Sequence, residues 1–104
     1  GFADVGRLFQ GNSDVIINKT MSKVLSIASD QTLVDVSNTP NIKIGDKVII
    51  IGKDGNKGID IIDIMSRTGL SAGTICTGLT KRLAKIYFNN GVPYRLNGYL
   101  ESNP

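Results

Sequence analysis

Apolar and polar residues alternate with a period of two through much of the first half of the chain, and helical spacing replaces that rhythm after residue 59. Residues 1–11 carry two early glycines before Leu8 and Phe9 and read as an extended arm or loop. A turn at Asn12-Ser13 leads into a short strand over 14–18, built on Val15, Ile16 and Ile17. In 23–27, Lys23, Leu25 and Ile27 share one face, with Val24 and Ser26 on the other. The polar run Ser29-Asp30-Gln31 breaks that strand, since Ser and Asp favour local bonds to the backbone. Residues 32–36 resume the alternation, with Thr32, Val34 and Val36 opposite Leu33 and Asp35.

Ser37-Asn38-Thr39-Pro40-Asn41 is a turn, and Ile42 and Ile44 lead to a second, tight one at Gly45-Asp46. The run 48–51 is apolar on both faces and is expected deepest in the core. Residues 52–58, GKDGNKG, read as a mobile connection. Asp60 and Asp63 have capping-box spacing, Ile61, Ile64 and Met65 share a helical face, and Gly69 is a stop, which predicts a helix over 60–68. Ser71 caps a second helix whose apolar face holds Ala72, Ile75, Cys76 and Leu79, so Cys76 is expected buried and inert. A strand over 83–88, a hairpin turn at Asn89-Asn90-Gly91 and a return strand over 94–100 close the chain. The pattern predicts a single domain over 1–104: mainly β, a small β-barrel with two short helices against one end.

Composition narrows the chemistry. The 104 residues include no histidine, which removes His-based acid–base catalysis, a Ser–His–Asp triad and nearly every common zinc site. A formal charge of +3 is a solubility feature more than a nucleic-acid footprint. No apolar run could span a bilayer, and GFADVG lacks the pattern of a secretory signal. The start at Gly1 without methionine reads as a processed or truncated chain. A lone Cys76 excludes an internal disulfide and suits a reducing compartment, so a cytoplasmic location is expected.

Each candidate for chemistry has a plainer reading. Residues 52–58 follow a strand and precede a helix, but they lack the order of a phosphate-binding loop. Asp30, Asp35 and Asp46 could meet around a divalent metal, yet each sits where a turn or an outward strand position explains it, and no metal is expected. Lys81, Arg82 and Lys85, followed by Tyr87 and Phe88, form a loose basic patch that reads better as a solvated helix end. Ser29 and Cys76 are potential nucleophiles with no histidine to activate them. The residues taken alone describe no enzyme.

Four blocks in order carry a resemblance. GFADVGR at 1–7 is similar to G-Y-A-D-G-x-x-R, and SKVLSIASDQTLVDVS at 22–37 to a segment ending G-R-x-S-M-D-Q-x-x-V-D-V. NIKIGDKVIIIG at 41–52 resembles x-V-x-x-G-D-x-V-x-x-I-G, and 68–87 resembles L-G-T-x-x-Y-E-x-x-C-x-L-x-x-R-V-P-R-x-Y without a gap. These are patterns of the C-terminal β-domain of the alanine racemase family. The resemblance implies a two-part enzyme in which an N-terminal barrel holds pyridoxal phosphate on a lysine. The C-terminal domain of a second subunit closes the site in a head-to-tail dimer, and its tyrosine is the second of two proton-transferring bases.

Against those patterns the pocket positions differ. Phe2 stands at the catalytic tyrosine, keeping the ring and losing the hydroxyl. Ser29 replaces the methionine before Asp30, and Gly73 and Thr74 replace the tyrosine and glutamate of the last block. The family's cysteine falls on Thr77, next to Cys76. The resemblance therefore implies substrate-pocket positions at Ser29, Asp30 and Gly73 and a substituted catalytic position at Phe2. It implies no cofactor in this chain, pyridoxal phosphate in a parent or partner barrel, and a homo-oligomer. The expected role is to complete that barrel's active site without racemising alone. The alternative is a free-standing, non-catalytic β-domain that serves as an interaction module.

Overall fold

The computed structural model describes residues 1–9 and 12–97, so the outer end of the expected return strand, residues 98–100, lies outside the described residues. The opening is helical and not an extended arm. α1 (Phe2–Val5) runs into a 3-10 turn over Gly6–Phe9. Val5, Leu8 and Phe9 have the i, i+3, i+4 spacing of a helical face, and all three are buried. The apolar face of this short element closes one side of the core.

β1 (Asp14–Ile17) and β2 (Thr20–Ile27) form a hairpin. Its two-residue turn puts both Asn18 (φ 49°) and Lys19 (φ 61°) in the left-handed region, the geometry that matches strand twist. β3 (Thr32–Val34) pairs with β2, and β4 (Val48–Ile49) pairs with the far side of β1. The antiparallel order is β3-β2-β1-β4, and a register shift between Val24 and Ser26 helps curl the sheet into a half-barrel.

The deepest strand is β1, with Val15, Ile16 and Ile17 each at most 4% exposed. The run 48–51 is not the core strand expected: Val48 is 48% and Ile51 41% exposed. β4 is an edge strand with one neighbour, whereas β1 lies between two. Residues 52–58 are not a loose connection either. β5 (Gly52–Asp54) and β6 (Lys57–Ile59) pair as a hairpin about Gly55 (φ 63°), and Ile59 joins the core.

Both expected helices are present. α2 (Ile61–Thr68) starts at a reciprocal cap: the Asp63 N–H donates to Asp60 Oδ1 and the Asp60 N–H to Asp63 Oδ2, both at 2.8 Å. Such a cap contributes about 1 kcal/mol. Gly69 ends the helix in the left-handed conformation, its N–H donating to the Met65 carbonyl. α3 (Ala72–Gly78) is capped by Ser71, whose Oγ accepts from the Thr74 N–H. This helix buries only Ile75, and Cys76 is exposed, contrary to expectation. A two-turn helix resting on one apolar contact leaves the next residue, rotated by about 100°, facing outward.

β7 (Lys85–Asn89) and β8 (Val92–Asn97) form a separate two-stranded ribbon. Its turn is the left-handed pair Asn90 (φ 51°) and Gly91 (φ 79°), at the expected Asn-Gly step. Among the described residues no helix is long and apolar enough to cross a membrane.

Candidate functional site

The first turn of the chain is held from two sides. The Phe2 N–H donates to the Ala28 carbonyl and the Ala3 N–H to the Ser29 carbonyl, both at 2.8 Å. These carbonyls belong to the β2–β3 turn, which the Ala28 N–H closes on the Gln31 carbonyl. Gly1 lies so close to that turn that a Cβ on it would stand 2.4 Å from Gln31 N and 2.6 Å from Asp30 Cα. Only glycine fits there. From the opposite side, Thr80 Oγ1 donates to the Ala3 carbonyl at 2.8 Å, and the Thr80 N–H donates to the Asp4 carbonyl at 3.0 Å.

An ion pair fixes the same turn. Arg82 Nε donates to Asp4 Oδ1 at 2.7 Å. The Arg82 hydrogen bond holds the Asp4 carboxyl below its ordinary value of 3.8. A depressed carboxylate stabilises the fold above its unfolded pKa, and that stability is lost as pH falls through the folded value. Asp4→Asn is therefore expected to flatten the acid limb of the stability–pH curve below about pH 4. Thermal melts at pH 7 and pH 3 check this; an unchanged acid limb would assign the loss to other carboxylates.

The junction brings together Phe2, Ser29 and Asp30. The Phe2 ring is half-exposed on the rim of a cleft of about 390 Å³ shared with Gly6, Arg7, Phe9 and Ile27. Ser29 and Asp30 are exposed beside it. Gly73 is not drawn into this cluster. It lies on the exposed side of α3, and Ser71 Oγ at 4.0 Å is the nearest atom its missing Cβ would meet. Sequence reading missed the Asp4–Thr80–Arg82 clamp, although Asp4 and Arg82 lie in the first and last matched blocks. Pairing across 78 residues leaves no local signal in one sequence.

The other acids act separately. Asp35 Oδ1 accepts from the Ser37 N–H and hydroxyl, which holds its carboxyl below the ordinary range. Asp46 Oδ2 accepts from Asn18 Nδ2 and the Lys43 N–H, tying one turn to another. No group of three His, Cys, Asp or Glu among the described residues could hold a metal ion. Arg82 Nε turns to Asp4, and Lys81 and Lys85 are exposed. A Schiff-base lysine needs a desolvated pocket, and all eight lysines of the chain are exposed. The residues present do not build a pyridoxal-phosphate site.

Comparison with known proteins agrees with this architecture. The family described as alanine racemase, C-terminal domain, matches residues 1–87. Alanine racemase 1 of Clostridium acetobutylicum is 28% identical over 102 residues, covering 96% of this chain and 26% of the relative. The alanine racemase of Clostridium kluyveri is 36% identical over 107 residues, covering 99% and 27%. Among solved structures, the Bacillus anthracis alanine racemase with bound L-Ala-P superposes with a TM-score of 0.84 at 25% identity, covering 96% of this chain and 26% of that one. The Clostridium difficile enzyme in complex with cycloserine gives 0.81 at 27% identity, covering 97% and 27%. The chain spans about a quarter of the length of the relatives it matches. With its fold and four-fifths of its sequence accounted for by one domain type, the chain belongs to the alanine racemase C-terminal domain family.

Proposed function

We propose that residues 1–104 form one domain that completes the active site and dimer interface of a pyridoxal-phosphate barrel and does not racemise alone. The barrel is supplied by an N-terminal domain or by a second subunit of a cytoplasmic homo-oligomer. The observation that carries this reading is the junction at α1: four backbone and side-chain hydrogen bonds hold a half-exposed Phe2 beside Ser29 and Asp30. Such rigid presentation of an apolar ring suits a wall that meets a partner's pocket.

The side chains define what the wall can do. Phe2 can pack against a substrate and exclude water but has no proton to give or take. The Ser29 hydroxyl and Asp30 carboxylate can hydrogen-bond polar substrate groups. Gly73 leaves open the space a family tyrosine fills. The cofactor, supplied by the barrel, provides the carbanion stabilisation that racemisation needs. The isolated chain with added pyridoxal phosphate is expected to convert L-alanine to D-alanine no faster than the cofactor alone, as read by chiral chromatography. A rate proportional to chain concentration would overturn the proposal.

A further inference from the structure

Thr80 and Arg82 lie just beyond α3, and both reach back to the first turn of the chain. The Thr80 hydroxyl donates to the Ala3 carbonyl at 2.8 Å and shares that bond with the Asp4 carbonyl at 3.2 Å. The same oxygen accepts from the Arg82 N–H at 3.4 Å, so the two residues form one bend. The Leu83 N–H closes the bend on the Thr80 carbonyl at 3.2 Å, and Leu83 packs against the core.

A second contact joins the same segments. A Cβ on Gly6 (φ 57°) would stand 3.0 Å from the Gly78 carbonyl oxygen and 3.1 Å from Gly78 Cα. The backbone leaving α1 thus meets the end of α3 with no side chain between them. α3 also carries Gly73, so the element bearing Phe2 is fastened to the element bearing Gly73.

The clamp is too exposed to matter much for global stability. The Arg82 and Asp4 side chains are 51% and 26% exposed, and ion pairs so open to water add little to folding. Its effect on α1 is different in kind. Four residues cannot hold a helical turn alone, so a small energy governs whether this turn opens locally.

We propose that Thr80 and Arg82 are positioning residues, which act through Ala3 and Asp4 to hold residue 2 in a fixed place relative to α3. Phe2 and Gly73 then meet a substrate as one preset wall and not as two that adjust separately. The pocket role of residue 2 rests on the proposed function; the clamp does not.

Amide hydrogen exchange of the 104-residue chain, read by NMR, tests the clamp without a barrel. Arg82→Met and Thr80→Val are each expected to speed exchange at the Phe2 and Ala3 amides about fivefold. Amides of β1 should change by less than about twofold, as for a surface substitution. Arg82→Lys keeps a cation near Asp4 and should recover most of the protection. Equal acceleration at Phe2 and in β1 would overturn the proposal, and so would unchanged exchange at Phe2. In a Phe2→Tyr domain assembled with the barrel, Arg82→Met should lower kcat about tenfold and leave KM within about twofold. A rise in KM alone would contradict positioning. An inactive Tyr domain would count against the role of residue 2, and the exchange rates would still decide the clamp.

Discussion

Phe2→Tyr, in a domain assembled with a pyridoxal-phosphate barrel, is expected to raise racemisation by about 10²- to 10⁴-fold, the usual return on one positioned acid–base group. The substitution adds a single hydroxyl to a ring that is half-exposed, so no new polar atom is forced into the core. The backbone beneath it is fixed by the bond to the Ala28 carbonyl, so the new hydroxyl would be held and not left to wander. Phe2→Leu is the control, since it removes the ring without adding a proton donor, and its activity should not rise above the starting level. Chiral chromatography of the product reads both variants. A Tyr variant no faster than the Phe2 protein would mean that residue 2 does not face the reacting carbon.

Ile64→Ala is expected to destabilise the fold by about 2–5 kcal/mol, the range for truncating a large buried aliphatic side chain. Against a total stability of about 5–15 kcal/mol for a domain of this size, that is a large share, and it corresponds to a Tm lowered by on the order of 20 °C. Ile64 is fully buried and belongs to the cluster that joins β1, the first helical turn and α3. Ile62 lies on the same helix but is 66% exposed, so Ile62→Ala should change stability by about 0.5 kcal/mol or less. Thermal unfolding followed by circular dichroism separates the two. Equal losses would mean that α2 packs through a different face.

The strands up to Val34 and the two capped helices were legible because local signals coincide there. Alternation, turn residues and caps all act within a few positions, and Asp60, Ser71, Asn90 and Gly91 do what their spacing implies. The failures share a different cause. α1 has only four residues, too few to persist as an isolated helix, and its attachments are to Ala28, Ser29 and Thr80, far away in sequence. The run at 48–51 looks like a core strand until the sheet order makes β4 an edge. Cys76 has helical spacing with Ile75 and Leu79, but α3 ends too soon to bury a wide face. At the site, the opening and the Asp30-Gln31 phrases were readable as separate signatures. Their meeting across the β2–β3 turn, and the Asp4–Arg82 bond behind it, are products of the folded topology.

The central claim, that this domain closes a pocket owned by a barrel, is tested most directly by sedimentation velocity. The 104-residue chain would be mixed with an alanine-racemase-type pyridoxal-phosphate barrel domain at concentrations on the order of 100 µM, where even weak interdomain contacts form. A faster-sedimenting species containing both partners, lost when Gly1→Val displaces the first turn from Asp30, is the expected result. Two species that sediment independently at every ratio would contradict it.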